Sequence, residues 1–302
     1  MKLTILGCHS ATPKVGSITT SQVLEIKKHT FLIDCGEGTQ VELRRRKIKF
    51  GRIKHIFISH LHGDHVFGLS GLVSTFNLLS RDADLHIYAP KGLKEVITLQ
   101  MKLAKSWTNY NLVFHELSSH TSEMIYEDDQ VEVHTIPLEH RVYTNGFLFK
   151  EKIGPRRLDI NAVEANDIDV AYYRKLQQGY DVENNQGELI KNNTVTKSAK
   201  PPKSYAFCSD TVYNERVVPI IKNVNALYHE STFLDINKEL AETTKHSTAK
   251  QAAEIAKQAE VGLLILGHYS TRYNGFEPFK EEAETIFNKV ELALDGREFL
   301  IE

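Results

Sequence analysis

Ile56-Phe57-Ile58-Ser59-His60-Leu61-His62-Gly63-Asp64-His65 places four metal-ligating side chains within six residues, at the end of an apolar run. Ile56, Phe57 and Ile58 read as a short buried strand. Continued through His62, that strand would put His60 and His62 on one side by its period of two. Gly63 allows a turn. Asp64 and His65 then open a segment in which Leu69, Leu72, Val73 and Phe76 recur at helical spacing. Two donors from a strand end meet two from a helix start, nitrogen and oxygen ligands of the kind zinc accepts. A chain with 14 histidines contains many that need no ligand role. Four donors clustered on one strand-to-helix turn have no comparably bland explanation.

At 302 residues, 41% of them hydrophobic and 25% charged, the chain has the composition of an ordinary globular protein with a large core. No apolar run approaches the roughly 20 residues that cross a bilayer. Lys2 is followed at once by strand-like Leu3-Thr-Ile-Leu6, which does not read as a signal peptide, so the expected compartment is the cytoplasm. Cys8, Cys35 and Cys208 are an odd number without CxxC spacing and suggest neither a disulfide framework nor a zinc finger. A net charge of -2 is not that of a strongly basic nucleic-acid binder, so a polyanion would have to be held by local patches or by the metals.

Along the chain, strands are expected at Leu3–Leu6, Ser21–Ile26 and His29–Asp34, then a helix from Thr39 to about Lys47. A loop rich in turn formers spans residues 7–16. The glycines of Asp34-Cys-Gly-Glu-Gly-Thr-Gln40 mark a tight turn but match no phosphate-loop pattern. Beyond the ligand cluster come strand Leu85–Ala89, a helix over about 91–105 with Leu93, Val96, Ile97 and Ala104 inward, and strands near 112–117, 122–126 and 130–136. His140 lies just past the last of these, as His60 does past its own strand, and is the natural third nitrogen donor. From Glu151 to about Lys203 apolar periodicity fades and only Asp167–Gln178 looks helical, which predicts a linker or an arm with little core of its own. Regular alternation then resumes. Strands ending at Cys208, Tyr228 and Leu266 deliver Asp210, His229-Glu230 and His268, Thr248 and Gln251 form a capping pattern, and a last helix over about 278–294 would bury Phe279, Ala283, Ile286 and Val290.

These donors suffice for two divalent ions: His60, His62 and His140 on one, Asp64, His65 and His268 on the other, and Asp210 between them. Such a pair activates a shared water and neutralises charge on a phosphoryl or carbonyl oxygen, so the expected reaction is hydrolysis. Zinc is expected, although the same donors accept manganese or iron.

His60-Leu-His62-Gly-Asp64-His65 resembles the defining motif of the metallo-β-lactamase superfamily, with His140, Asp210 and His268 in the order of its later motifs. Within it the chain resembles the ribonuclease Z family, through Asp34-Cys-Gly-Glu-Gly-Thr-Gln40, Gly68-Leu-Ser-Gly71-Leu72, Ser209-Asp210-Thr211, His229-Glu230-Ser231-Thr232, His246-Ser247-Thr248 and Ser270-Thr-Arg272-Tyr273. The ordered set spans Leu6 to Tyr273. The resemblance implies an αββα sandwich of two mixed β-sheets with helices outside, one domain over 1–302, with residues 151–203 as an inserted arm. It implies an endoribonuclease that removes the 3′ trailer of precursor tRNA by attack of a bridging hydroxide on phosphorus and leaves a 3′-hydroxyl. It also implies a homodimer whose arm grips the tRNA, although Gly154-Pro155-Arg156-Arg157 stands where a more glycine-rich tip is expected.

In that family Asp64 is the proposed proton acceptor and His246 the candidate donor to the leaving oxygen. A helix-capping role for His246 is the competing reading. His229 and Glu230 read as groups that orient ligands, and the other histidines, His9, His86 and His120 among them, as ordinary. The alternative function is hydrolysis of small phosphodiesters, sulfate esters or thioesters with the same ligands. A non-catalytic RNA-binding scaffold would be expected to have lost ligands, and none of the seven is missing.

Overall fold

The structure, a computed structural model, describes residues 1–12 and 15–302, so Pro13 and Lys14 of the loop expected over 7–16 lie outside the described residues. Its larger unit comprises residues 1–150 and 203–302. It opens with β1 (Lys2–Gly7), β2 (Ser21–Ile26), β3 (His29–Ile33), α1 (Thr39–Arg45), β4 (Ile53–Phe57), α2 (Gly63–Val66), α3 (Gly68–Leu78), β5 (Leu85–Pro90), α4 (Leu93–Ala104) and β6 (Leu112–Leu117). Next come β7 (Met124–Glu127), β8 (Val131–Leu138) and β9 (Thr144–Glu151).

The smaller unit, Glu151–Pro202, holds β10 (Arg157–Leu158), α5 (Ile160–Ala165), α6 (Tyr173–Gln177), β11 (Val182–Glu183), β12 (Leu189–Ile190), α7 (Asn192–Val195) and β13 (Thr196–Lys197). The chain returns to the larger unit with β14 (Ser204–Cys208), β15 (Ala226–Glu230), α8 (Lys238–Thr244), α9 (Ala249–Gln258), β16 (Leu264–Gly267), α10 (Glu277–Glu284), β17 (Val290–Leu292) and β18 (Glu298–Leu300).

Two seven-stranded sheets result, in the orders β18-β1-β2-β3-β4-β5-β6 and β17-β16-β15-β14-β9-β8-β7. Both are mixed: β3 to β6 run parallel, β1 to β3 antiparallel, and β14 to β17 parallel with β9 antiparallel to β14. The apolar runs are near-continuous because the strands bury both faces. Phe31, Ile33 and Phe57 join Phe147, Phe149, Tyr205 and Phe207 in one core, while alternate residues Leu32, Ile56 and Ile58 pack with Leu69, Leu72 and Phe76 of α3 and Leu93 of α4. Ala249, Ala252, Ala253 and Ala256 of α9 join the first core, completing a four-layer αββα sandwich. No helix among the described residues is long and apolar enough to cross a membrane.

Several expectations change. The strand before the ligand cluster ends at Phe57, so His60 and His62 lie in the following loop and are not aligned by a pleat. Val96 is 57% exposed and Ala104 is exposed, and Met101 takes the inward position of α4. The last helix stops at Glu284, and Val290 belongs to β17. The smaller unit does have a core: Val163, Ile168, Leu176, Val182 and Val195 are buried, with Leu158 and Ile190 packed against them. Each short element supplies one or two of these residues, so no helical or strand period betrays them in sequence. Helix α5, capped by the Asp159 side chain at Ala162 N, went unanticipated because it is under two turns long.

Candidate metal centre

Seven side chains converge from four segments that follow strands. His60, His62, Asp64 and His65 come after β4, His140 after β8, Asp210 after β14 and His268 directly after β16. The structure brings these seven side chains together: His60, His62, His140 and Asp210 offer ligand atoms within 4.8 Å of one another, and so do Asp64, His65 and His268. Asp210 touches both groups. Its Oδ1 lies 3.1 Å from His268 Nε2 and 3.3 Å from His65 Nε2, and its Oδ2 lies 3.6 Å from His60 Nε2 and 3.8 Å from His140 Nε2. Asp64 Oδ2 reaches His65 Nε2 at 3.3 Å and His268 Nε2 at 3.5 Å.

The outer ring nitrogens are tied down. His65 Nδ1 donates to Asp34 Oδ2 at 2.8 Å, His140 Nδ1 to Lys245 O at 2.8 Å and His268 Nδ1 to Thr232 Oγ1 at 2.9 Å. The Nε2 atoms of these three histidines are buried and make no hydrogen bond. An unpaired buried imidazole nitrogen is costly, and three gathered around Asp210 describe donors arranged for a cation. Burial first, then the neighbouring histidines, keep His60 below the usual imidazole range, and burial likewise lowers His62 and His140, which leaves them neutral as ligands must be. Burial opposes the charge on Asp210, but His268, His65 and His60 outweigh it and hold the carboxyl well below its usual range. The residues therefore fit a metal.

Asp34 and His268 sit in the left-handed region, at φ 55° and 61°. Both follow a strand directly, and the strained turn aims each side chain across the sheet edge. Asp34 also accepts from Ser59 N at 2.7 Å and Ser59 Oγ at 2.9 Å, so one buried carboxylate fixes the loop carrying His60 and the ring of His65. Cys35 N donates to His65 O at 2.8 Å and Gly68 N to Cys35 O at 2.9 Å. A Cβ on Gly68 would stand 2.1 Å from Gly36 O. The Asp34–Gln40 turn thus braces the ligand loop. Sequence reading missed Asp34 as an orienting group. Its signal was a carboxylate ending the strand paired with β4.

His246 Nδ1 donates to Glu230 Oε1 at 2.8 Å and lies 3.9 Å from Asp210 Oδ2. Burial disfavours its cation, but Glu230 and Asp210 raise its pKa to about 9. It does not cap a helix, since Thr248 and Gln251 form the capping box of α9. Glu230 also accepts from Thr211 N and Thr232 Oγ1, so it ties the Asp210 and His268 loops together. His229 Nδ1 donates to Glu230 O at 2.7 Å, on the strand and away from the centre.

A family model described as anti-Pycsar protein Apyc1 matches residues 1–155. Over nearly the whole chain, the ribonuclease Z of Bacteroides thetaiotaomicron is 44% identical across 295 residues, 98% of this chain and 93% of that protein. The chain belongs to the ribonuclease Z family. Among solved structures, human tRNase Z, short form, superposes with a TM-score of 0.73 at 27% identity, covering 100% of each chain. The metallo-β-lactamase fold protein YhfI of Bacillus subtilis shares the fold with a TM-score of 0.70 at 16% identity, covering 99% of this chain and 98% of that one. Ribonuclease Z membership accounts for the motifs of the second half, Asp210 to Tyr273, which lie beyond the stretch matched by the family model.

Proposed function

We propose that this endoribonuclease of the ribonuclease Z family trims the 3′ trailer from precursor tRNA in the cytoplasm and leaves a 3′-hydroxyl, with two zinc ions held by the seven converging ligands. The carrying observation is that donors from both halves of the chain present unpaired Nε2 atoms and shared carboxylates to one another. His60, His62 and His140 form one ligand group, Asp64, His65 and His268 the other, and Asp210 bridges them. Bound there, a pair of divalent ions would acidify a water held between them and neutralise charge on the phosphoryl oxygens.

Asp64 would take up the proton of the attacking water. Its Oδ2 also takes a 2.7 Å hydrogen bond from Ala11 N, which fixes its orientation. His246, kept protonated by Glu230, donates to the departing 5′ oxygen of the trailer. Lys152, Arg156, Arg157, Lys197 and Lys200, near the two ends of the unit Glu151–Pro202, offer cations to the tRNA backbone, and the protein works as a homodimer.

The test is to map cleavage of a pre-tRNA carrying a 3′ trailer, with and without chelator, beside bis-p-nitrophenyl phosphate and an Asp210→Ala variant. A single cut after the discriminator nucleotide, lost with chelator and in the variant, is expected. Turnover of the small ester alone would favour the small-substrate reading. Metal analysis near two zinc ions per chain and a dimer mass by light scattering complete it.

A further inference from the structure

Phe67 is 73% exposed although it stands beside the most buried residues of the ligand loop. It links α2 to α3, and its ring lies across Gly63: a Cβ on Gly63 would meet Phe67 Cε2 at 2.2 Å. The missing side chain at 63 is what lets the ring lie there. Phe67, Gly63, Asp64, His62, Glu37 and Arg141 line a cavity of about 420 Å³ at the candidate metal centre. Arg141 also lines a second cavity, about 620 Å³, with His140, Tyr143 and His120. Arg141 is exposed and forms no ion pair among the described residues. No aromatic ring or cation stacks on Phe67 among the described residues.

Scattered exposed apolar side chains are ordinary on protein surfaces. Phe67 differs in place: it lines a cavity together with two candidate metal ligands, His62 and Asp64, and with an unpaired guanidinium. A flat apolar ring and a cation beside a phosphodiester-cutting centre are the two elements that hold single-stranded nucleic acid, one stacking on a base and the other meeting the backbone. An enzyme that cuts within a strand must hold nucleotides on both sides of the bond it breaks, and two cavities that share Arg141 give it two places to do so.

We propose that Phe67 is a stacking platform for the nucleobase on one side of the scissile phosphate, with Arg141 meeting the adjoining backbone. This rests on the RNA-cutting function above. The ring binds and positions, and takes no part in bond making.

The experiment compares the zinc-loaded protein with Phe67→Ala and Phe67→Tyr on an intact pre-tRNA and on two pre-tRNAs abasic immediately 5′ or 3′ of the cut, with metal content measured for each variant. We expect Phe67→Ala to lower kcat/KM on intact RNA by about five- to a hundredfold, mostly through KM, with Phe67→Tyr near the unaltered protein. One abasic RNA should slow the unaltered protein by a similar factor while Phe67→Ala cuts it no worse than intact RNA. Unchanged cutting by a metal-replete Phe67→Ala, or the same variant penalty on both abasic RNAs as on the intact one, would overturn the platform. Failure of the unaltered protein to cut any of the RNAs is a distinct result, which would remove the function beneath it as well.

Discussion

Asp34 Oδ2 and His65 Nδ1 are joined by a 2.8 Å hydrogen bond between fully buried side chains 31 residues apart in sequence. Their strand and loop come together because β3 pairs with β4 in parallel, which sets both strand ends at one edge of the sheet. Removing this carboxylate should leave the seven donors in place but loosen the His65 ring. Asp34→Asn is expected to weaken zinc binding by about 10–100-fold, measured by competition with a chromogenic chelator. Unchanged affinity would show that the ring is oriented by packing alone.

Asp210→Asn should cost more, because its two oxygens are the shared contact of both ligand groups. Zinc content is expected to fall below two per chain and RNA cleavage by more than the roughly hundredfold upper effect of an orienting residue. Full zinc occupancy with activity retained would rule out a bridging role.

Substitution of His246 separates proton donation from ligand support. His246→Asn is expected to slow RNA cleavage by about 10²–10⁴-fold while zinc content holds. The loss on bis-p-nitrophenyl phosphate should be much smaller, since a nitrophenolate leaves without a proton. Equal losses on both substrates would assign His246 to positioning instead.

Acid stability should depend on His55, far from the ligand cluster. Burial first, then repulsion from His86, His29 and His115, pulls its pKa down to about 3, so the folded protein keeps it neutral. The unfolded chain takes up that proton below about 6.5, so stability contributed by the neutral ring is intact above pH 6.5 and is lost as pH falls toward 3. Denaturant midpoints from pH 7.5 to 5 should drop less steeply for His55→Phe than for the unaltered protein. Parallel curves would mean that the ring is protonated without penalty.

Replacing residues 151–202 by a short Gly-Ser linker should spare zinc content and small-ester turnover but raise KM for pre-tRNA. Those residues have their own core of Val163, Leu176 and Val195, so their loss need not open the main cores. Unaltered KM for pre-tRNA would remove the arm from substrate binding.

The seven donors were legible as a candidate set because each lies in the segment that follows a strand, and strand ends in open α/β sheets gather at one edge. The capping box at Thr248 and the strands Ser21–Ile26 and Leu112–Leu117 were legible for a local reason: turn formers and apolar alternation are properties of neighbours in sequence. Strand β9 escaped because Thr144–Glu151 mixes polar residues into a buried central strand, and β17 because Val290 fits the helical spacing of Phe279 and Ala283.

By itself the sequence determined which side chains offer donor atoms suited to a metal and which family the chain belongs to, since donor chemistry and motif spacing are written in residue types. Only the tertiary structure decided that Asp34 holds His65, that Glu230 joins His246 to the Asp210 and His268 loops, that the arm encloses a small core, and that Phe67 stands over Gly63 at the edge of the centre. Each of these depends on a distance between residues brought together by sheet pairing and side-chain packing, and no local pattern in the chain encodes it.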